Sequence, residues 1–363
     1  MINIQNQAVV EFTLGSYTLK SVHEFKGLLI SETVGLGIPI FQITLRQNNF
    51  KLYNEIKVGR NCTIKFGHTI ETLNQFNFVV VNYSYGQITN EGALLTISGM
   101  LDVRDFITQP KTDFFNNKAT YQVLGALNFV KPKINYISDD TQIWLRPNIT
   151  EKEFAEELLL HSHIPDSFVI FGLNIKKELI VYDAKKKFAE EPKTTFINKP
   201  SQSPPSIVSY DNFTLESDNA IINHFLTDRV QPIQTNTDWK INYITADTKA
   251  INGKNYYEVA NKRMLPPKID CGNCHGNYYN AEIYNLTKWS QLLNHNIYLT
   301  ITQAFLTEDD LTLLDKVKLT QNHSQYKGLD NISGDYIIGQ KEYMFSTTSV
   351  MQKFRLNRDF TMK

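Results

Sequence analysis

The run Cys271-Gly272-Asn273-Cys274-His275 holds the side chains best suited to redox or metal chemistry. Two thiols three apart and a following imidazole match the pattern of covalent haem attachment, in which two thioethers tether the porphyrin and the histidine ligates the iron. Such attachment occurs outside the cytoplasm, whereas Met1 to Leu14 has no basic segment followed by an apolar one that would direct export. A zinc site on Cys271, Cys274 and His275 would need a fourth donor, which His295 or Cys62 could supply only by accident of the fold, and the spacing is not a standard one. The expectation is therefore a turn with two free thiols, or a strained local disulfide after lysis, and no cofactor or metal residue is assigned.

Other constellations have similarly plain readings. His161 and His163, near Glu153, Glu156 and Glu157, are two apart and point to different helix faces. They read as a solvated helix end whose imidazoles suit the negative end of the dipole. Asp139-Asp140 and Glu308-Asp309-Asp310 lie in polar, turn-like surroundings that would not raise a carboxyl pKa for acid catalysis, so exposed loop charges are expected. Lys185-Lys186-Lys187 reads as a solvated guard beside a strand. With no Gly-rich phosphate loop, nucleophile elbow or His-Glu-x-x-His, the sequence predicts no enzyme and no catalytic residue. Trp144, Trp239 and Trp289, flanked by Gln142, Arg146, Asp238 and Lys288, leave open a sugar-stacking platform.

These residues need a scaffold, and 363 residues with 42% hydrophobic and 12% aromatic content can form two or three packed units. Lys plus Arg (37) equals Asp plus Glu (37), so no global basic field exists to hold a polyanion, and only eight of the basic residues are arginine. No specific nucleic-acid binding is expected. No stretch approaches the roughly 18 to 20 apolar residues of a membrane span, so no membrane is expected either. Three cysteines are too few for a disulfide scaffold, which leaves stability to packing.

The first hundred residues alternate as strands do: Phe41, Ile43 and Leu45 against Gln42, Thr44 and Arg46, then Cys62, Ile64 and Phe66 against Thr63 and Lys65. Phe76 to Tyr85 and Ala93 to Leu101 follow, bounded by Gly86 to Gly92, and the set predicts a barrel or sandwich. Ala119 to Val130 predicts a short helix, and Thr150-Glu151-Lys152-Glu153 a capping box opening another, with Phe154/Leu158 and Ala155/Leu159 on one face. Phe168 to Leu173 and Glu178 to Asp183 predict a hairpin around Asn174 to Lys177, completing an α+β insert. Residues 190 to 206, rich in proline, read as a linker, and Asp218 to Leu226 as amphipathic. Gly334 to Phe345 and Ser349 to Arg358 predict closing strands. In the second of these, Val350, Phe354 and Leu356 face inward, Met351, Lys353 and Arg355 outward, and Gln352 breaks the pattern. Gly334 is expected to bend with positive φ.

Several motifs together resemble a family. Phe25-Lys26-Gly27-Leu28-Leu29-Ile30-Ser31-Glu32-Thr33 with Ile38-Pro39 and the strand Phe41 to Arg46 is similar to the opening of baseplate hub proteins of phage contractile tails, related to the hub part of type VI secretion spikes. That opening has a strand and a Glu-containing turn leading into a proline and a second strand. Ile332-Ser333-Gly334-Asp335-Tyr336-Ile337-Ile338-Gly339, Tyr343-Met344-Phe345 and Phe354-Arg355-Leu356-Asn357-Arg358-Asp359 resemble its end, with Gly272 to Tyr278, Asn285 and Asp315 to Leu319 in the family's order between. The resemblance implies a mainly β fold with an α+β insertion and two tube-like antiparallel β-barrels. It places the first barrel at 1–108, the insert ending in the Pro-rich loop at 109–210, and the second barrel at 211–363 with an elaboration near 241–289. It also implies a non-enzymatic homotrimer in the virion tail baseplate, made in the host cytoplasm, joining the sixfold tail tube to the threefold central spike around a channel for DNA. Implied partners are the spike, tail tube proteins, other baseplate proteins and the tape-measure protein. A sugar-binding tail or cell-surface adhesin is the alternative. Protein expressed in the cytoplasm is expected to show no Soret band and no stoichiometric zinc, and changing Cys271 and Cys274 to Ser should leave assembly intact; absorption spectra and metal analysis check this.

Overall fold

The computed structural model describes residues 1–5, 8–47, 52, 54–89, 92–165, 167–197, 311–320 and 333–358. Between 207 and 301 it describes short strands together with Asn285, Trp289 and Leu292. Cys271, Cys274, His275, His295, Trp239, Glu308 to Asp310 and Asp218 to Leu226 lie outside the described residues.

The alternating N-terminal sequence forms β1 (Ile2–Ile4), β2 (Ala8–Leu14), β3 (Tyr17–Thr18), β4 (Phe25–Thr33), β5 (Ile40–Gln47), β6 (Asn61–Gly67), β7 (Asn74–Thr89) and β8 (Gly92–Leu101). They pair antiparallel in the order β1-β2-β6-β7-β8-β5-β4, with β3 on β2. Phe41, Ile43 and Leu45 point inward, as do Cys62, Ile64 and Phe66. The last two strands run on to Thr89 and start at Gly92, so the glycine-bounded stretch expected as a loop is mostly ladder. Rings on strands far apart in this order meet: Phe12 stands 6.4 Å from Phe41, and Phe41 lies 5.0 Å from Phe78. The sheet curls around its own core.

The insert follows as α1 (Arg104–Thr108), β9 (Lys111–Lys118), α2 (Thr120–Leu124), β10 (Lys131–Asn135), β11 (Gln142–Ile149), α3 (Glu151–His161), β12 (Val169–Leu173), β13 (Glu178–Asp183) and α4 (Ala184–Ala189). The capping box forms: Glu153 N donates to Thr150 Oγ1 at 3.3 Å, and Thr150 N donates to the Glu153 carboxylate at 2.8 Å. Phe154, Ala155, Leu158 and Leu159 are buried on one face of α3. The helix expected over Ala119 to Val130 stops at Leu124, because the amides of Asn128 and Phe129 donate instead to Glu151 Oε1, at 3.1 and 2.9 Å. β12 and β13 form the predicted antiparallel hairpin, and β10 adds in parallel to β13.

Beyond the insert come β14 (Thr194–Ile197), β15 (Ile207–Ser209), β16 (Asn212–Glu216), the two-residue strands β17 (Val230–Gln231), β18 (Ile244–Thr245), β19 (Glu258–Val259) and β20 (Lys268–Ile269), then β21 (Asn296–Ile301), β22 (Lys316–Thr320), β23 (Gly334–Ser346) and β24 (Val350–Asn357). The first part of the expected linker is thus a strand, with β14 lying parallel between β22 and β15. Its Phe196 is fully buried 5.6 Å from Phe354, which explains why this stretch is held despite its prolines. β23 and β24 form a hairpin, and β24 pairs on its other side with β21. The expected inward set Val350, Phe354 and Leu356 is buried. So are Gln352 and Arg355, because β24 is covered on both faces rather than one. Gly334 has φ +152°, and a β-carbon there would sit 2.6 Å from the Arg358 guanidinium. The architecture is mainly β with an α+β insertion, around one continuous core running from Ile2 to Leu356. Phe354→Ala is expected to cost about 3 to 5 kcal/mol, against under about 1 for the half-buried Met351→Ala; denaturant melts of the two variants check the difference.

Candidate functional site

The first sheet, the insert and the C-terminal hairpin meet along β4. One edge of β4 pairs with β5, and the other pairs antiparallel with β23, from Gln340 opposite Thr33 to Ser346 opposite Gly27. In this ladder Glu32 stands opposite Lys341, and both are buried, at 3% and 1% exposure. Directly opposed side chains share a face of the sheet, so both charged side chains enter the interior from the same face of the ladder. Each also reaches another unit. Glu32 Oε2 accepts the Ile175 amide of the insert hairpin at 2.8 Å, and Lys341 Nζ donates to Leu311 O at 2.6 Å while lying 4.5 Å from the centre of the Tyr343 ring.

Just past β4 the backbone changes partners. Val34 N donates to Gly339 O at 2.8 Å, Gly35 N donates to Phe171 O at 2.8 Å, and Leu173 N returns a bond to Gly35 O at 3.3 Å. Gly339 occupies the register shift of β23, where one edge of that strand passes from β22 to β4. Its carbonyl also accepts from Thr33 Oγ1 at 3.3 Å and Arg355 Nη2 at 3.2 Å. A β-carbon on Gly339 would fall 1.6 Å from Asn357 Oδ1, a fully buried side chain that donates through Nδ2 to Leu292 O. Only glycine fits. The cluster holds no nucleophile beside a base; what it does chemically is lock three parts of the chain into one register.

The residues singled out from sequence are mostly structural. Cys62 is buried in β6, and desolvation pushes its thiol up to about 12, far from the thiolate that zinc requires. Among the described residues no three His, Cys, Asp or Glu side chains converge where a metal could sit. His161 is not a solvated helix end: it is 9% exposed, with Nδ1 2.7 Å from Glu157 O and its ring 6.4 Å from Trp144. His163 is exposed and pairs with Asp139. Asp140, expected in an exposed loop, is 1% exposed and accepts from Thr120 N at 2.9 Å, Thr120 Oγ1 at 2.6 Å and His163 N at 3.0 Å. Lys187 is likewise buried, in a helix rather than beside a sheet edge, with Nζ 2.7 Å from Glu190 and 4.6 Å from the Tyr182 ring centre. Asn285 closes the C-terminal end of α3, donating to Leu160 O and Ser162 O at 2.8 and 2.7 Å.

Of the candidate sugar-stacking tryptophans, Trp144 and Trp289 are in the core. Trp144 Nε1 donates to Lys118 O at 3.0 Å, and Trp289 Nε1 donates to Val169 O at 2.8 Å with its ring edge-on to Phe171. Arg146, beside Trp144, is 2% exposed and bound to Ile149 O, Gln109 O and Asp113. Glu32, expected in a turn, lies in the strand itself. It and Lys341 carried a legible signal, a charge in the inward register of an apolar strand, whereas Arg355 lies in the register expected to face outward.

No family model matches the chain, and no curated protein sequence is significantly similar to it. Solved structures are similar in fold over nearly its whole length. A tail protein from Neisseria meningitidis MC58 superposes with a TM-score of 0.57 over 97% of both chains at 11% identity. The 43 kDa tail protein of prophage MuSo2 from Shewanella oneidensis does so at 0.57 over 96% of both chains at 12% identity. An Escherichia coli component of the type VI secretion system, described as structurally similar to the T4 bacteriophage tail proteins gp27 and gp5, matches at 0.50 over 95% of this chain and 76% of that one, at 8% identity. The chain has the fold of these proteins. Lys341→Met is expected to destabilise it by about 1 to 3 kcal/mol by leaving the buried Leu311 carbonyl without this donor; denaturation of the variant measures the loss.

Proposed function

We propose that this protein is the structural hub of a phage-tail baseplate, a trimer that adapts the sixfold tail tube to the threefold central spike around a channel for DNA passage. The observation that carries the reading is the full-length likeness to two tail proteins, in which almost no part of either chain is left over. The motif order read in the sequence points the same way, and its two ends, β4 with β5 and β23 with β24, are the elements that pair across the molecule. On this reading 1–108 and 211–363 are the two tube-like barrels, with the elaboration near 241–289, and 109–210 is an insert on the ring.

The same reading makes the protein a non-enzymatic virion component. Its partners are two further copies of itself, the spike, the tail tube, other baseplate proteins and the tape-measure protein, and its role in genome ejection is to hold the channel in place. The burial of Trp144 and Trp289 weighs against the sugar-binding adhesin, since two of its three stacking candidates are inside the core.

Light scattering on the protein co-purified with its spike is expected to find three copies, and a strict monomer with spike present would contradict the reading. Truncation after Asn331 removes β23 and β24, exposes the free edges of β4 and β21, and should abolish particle assembly. A truncated chain that still entered tails would be incompatible with the hub.

A further inference from the structure

The ribbon of β9 and β11 has two unlike faces. On the inner one Phe115 stacks 5.9 Å from Phe154 of α3, Trp144 Nε1 donates to Lys118 O at 3.0 Å, and Arg146 is held by Asp113 and two carbonyls. The outward positions are Thr112, Phe114 and Asn116 of β9 and Ile143, Leu145 and Pro147 of β11, all exposed and none charged. Phe114 stands directly opposite Leu145, and Ile143 is the next outward residue along β11. Three large apolar side chains, Phe114, Leu145 and Ile143, thus adjoin at 63%, 57% and 62% exposure. The ribbon cannot bury them by turning over, because that would expose Phe115 and Trp144 instead.

Neither outer edge of this ribbon is paired among the described residues. Elsewhere the insert protects an open edge as strands usually do: β10 carries Lys131, Pro132 and Lys133. The outward face of the ribbon has no such guard. Single exposed apolar residues are ordinary, but a contiguous uncharged cluster marks a contact surface. Two quantities select its occupant. The cluster offers a few hundred Å², against about 800 Å² that each partner gives to a stable interface, so by itself it cannot capture a free protein and must meet one already held beside it. Its lack of charge fits a permanent contact between like chains: interfaces between copies of one chain are about 65% apolar, whereas those that form and part are no more apolar than ordinary surface.

We propose that the outward face of the β9–β11 ribbon packs against a second copy of this chain within the trimer, an assignment that rests on the hub reading. In a threefold ring such a contact is heterologous, so each ribbon meets a different surface of the neighbouring copy. Photo-cross-linking tests it, with benzoylphenylalanine introduced at position 145 of the protein co-purified with its spike. Irradiation is expected to join hub to hub, and the cross-linked peptide identifies the receiving surface. Leu145→Asp should weaken trimer assembly at least about 10-fold in light scattering, while the melting midpoint of the dilute, unassembled chain stays within about 1 °C because the side chain is exposed. Leu145→Met, which keeps the apolar surface, should assemble normally. A trimer whose position 145 cross-links only to the spike or to nothing, or that tolerates Leu145→Asp, would overturn this contact and leave the hub reading standing. A strict monomer with spike present would overturn both.

Discussion

Glu32 on β4 and Lys341 on β23, directly opposed in the ladder and both buried, mark the register on which the rest of the molecule depends. A slip of one residue in that ladder would turn every side chain of β23 to the other face, moving Tyr343 and Phe345 out of the core and Lys341 away from the Leu311 carbonyl. Taking a charge out of water costs several kcal/mol, so the ladder is tolerable only in the register that gives each of these groups its buried partners. Each partner also satisfies a backbone group of a further unit, the Ile175 amide for Glu32 and the Leu311 carbonyl for Lys341. The pair thus does more than join two strands. The bonds around it, such as Arg355 to Thr33 across 322 residues of chain, join segments far apart in the sequence.

The insert is built on the same principle, with polar groups buried only where other units complete them. Asp140, Thr120, Ser138, Ser162 and Tyr136 form one hydrogen-bonded knot, and burial raises the Tyr136 phenol well above its ordinary value, so it stays protonated as a donor and acceptor. Glu151 does the same near the start of α3, closing the loop at Asn128 and Phe129 while Arg146 lies 3.8 Å away. Asn285 and Trp289, distant in sequence, reach into this insert and close the end of α3 and the β12 backbone.

What could be read from the sequence was what is decided locally. The period-two runs of β5 and β6, the capping box at Thr150, the hairpin over Asn174 to Lys177 and the positive φ of Gly334 each depend on neighbours within a few residues, and each is present. What was misread depends on partners far along the chain. Asp140 looks like a loop charge until Thr120 and His163 close over it, Lys187 looks solvated until it lies over Tyr182, and the prolines near 200 hide a strand whose place is fixed by β22. The junction charges were half legible: their inward register is visible in β4 and β23, but which charge faces which follows only from the ladder.

The β4–β23 junction unites the first sheet, the insert and the C-terminal hairpin in one cooperative unit. Native-state hydrogen exchange tests it most directly, following the amides of Val34, Gly35, Leu173 and Ile175, which cross between units, beside those inside the β4–β5 ladder. Both sets are expected to open together, with the same free energy and the same dependence on denaturant. If the crossing amides exchanged through a separate, lower-energy opening while the β4–β5 ladder stayed protected, the insert would be merely resting on the sheet and the junction would not hold the molecule together.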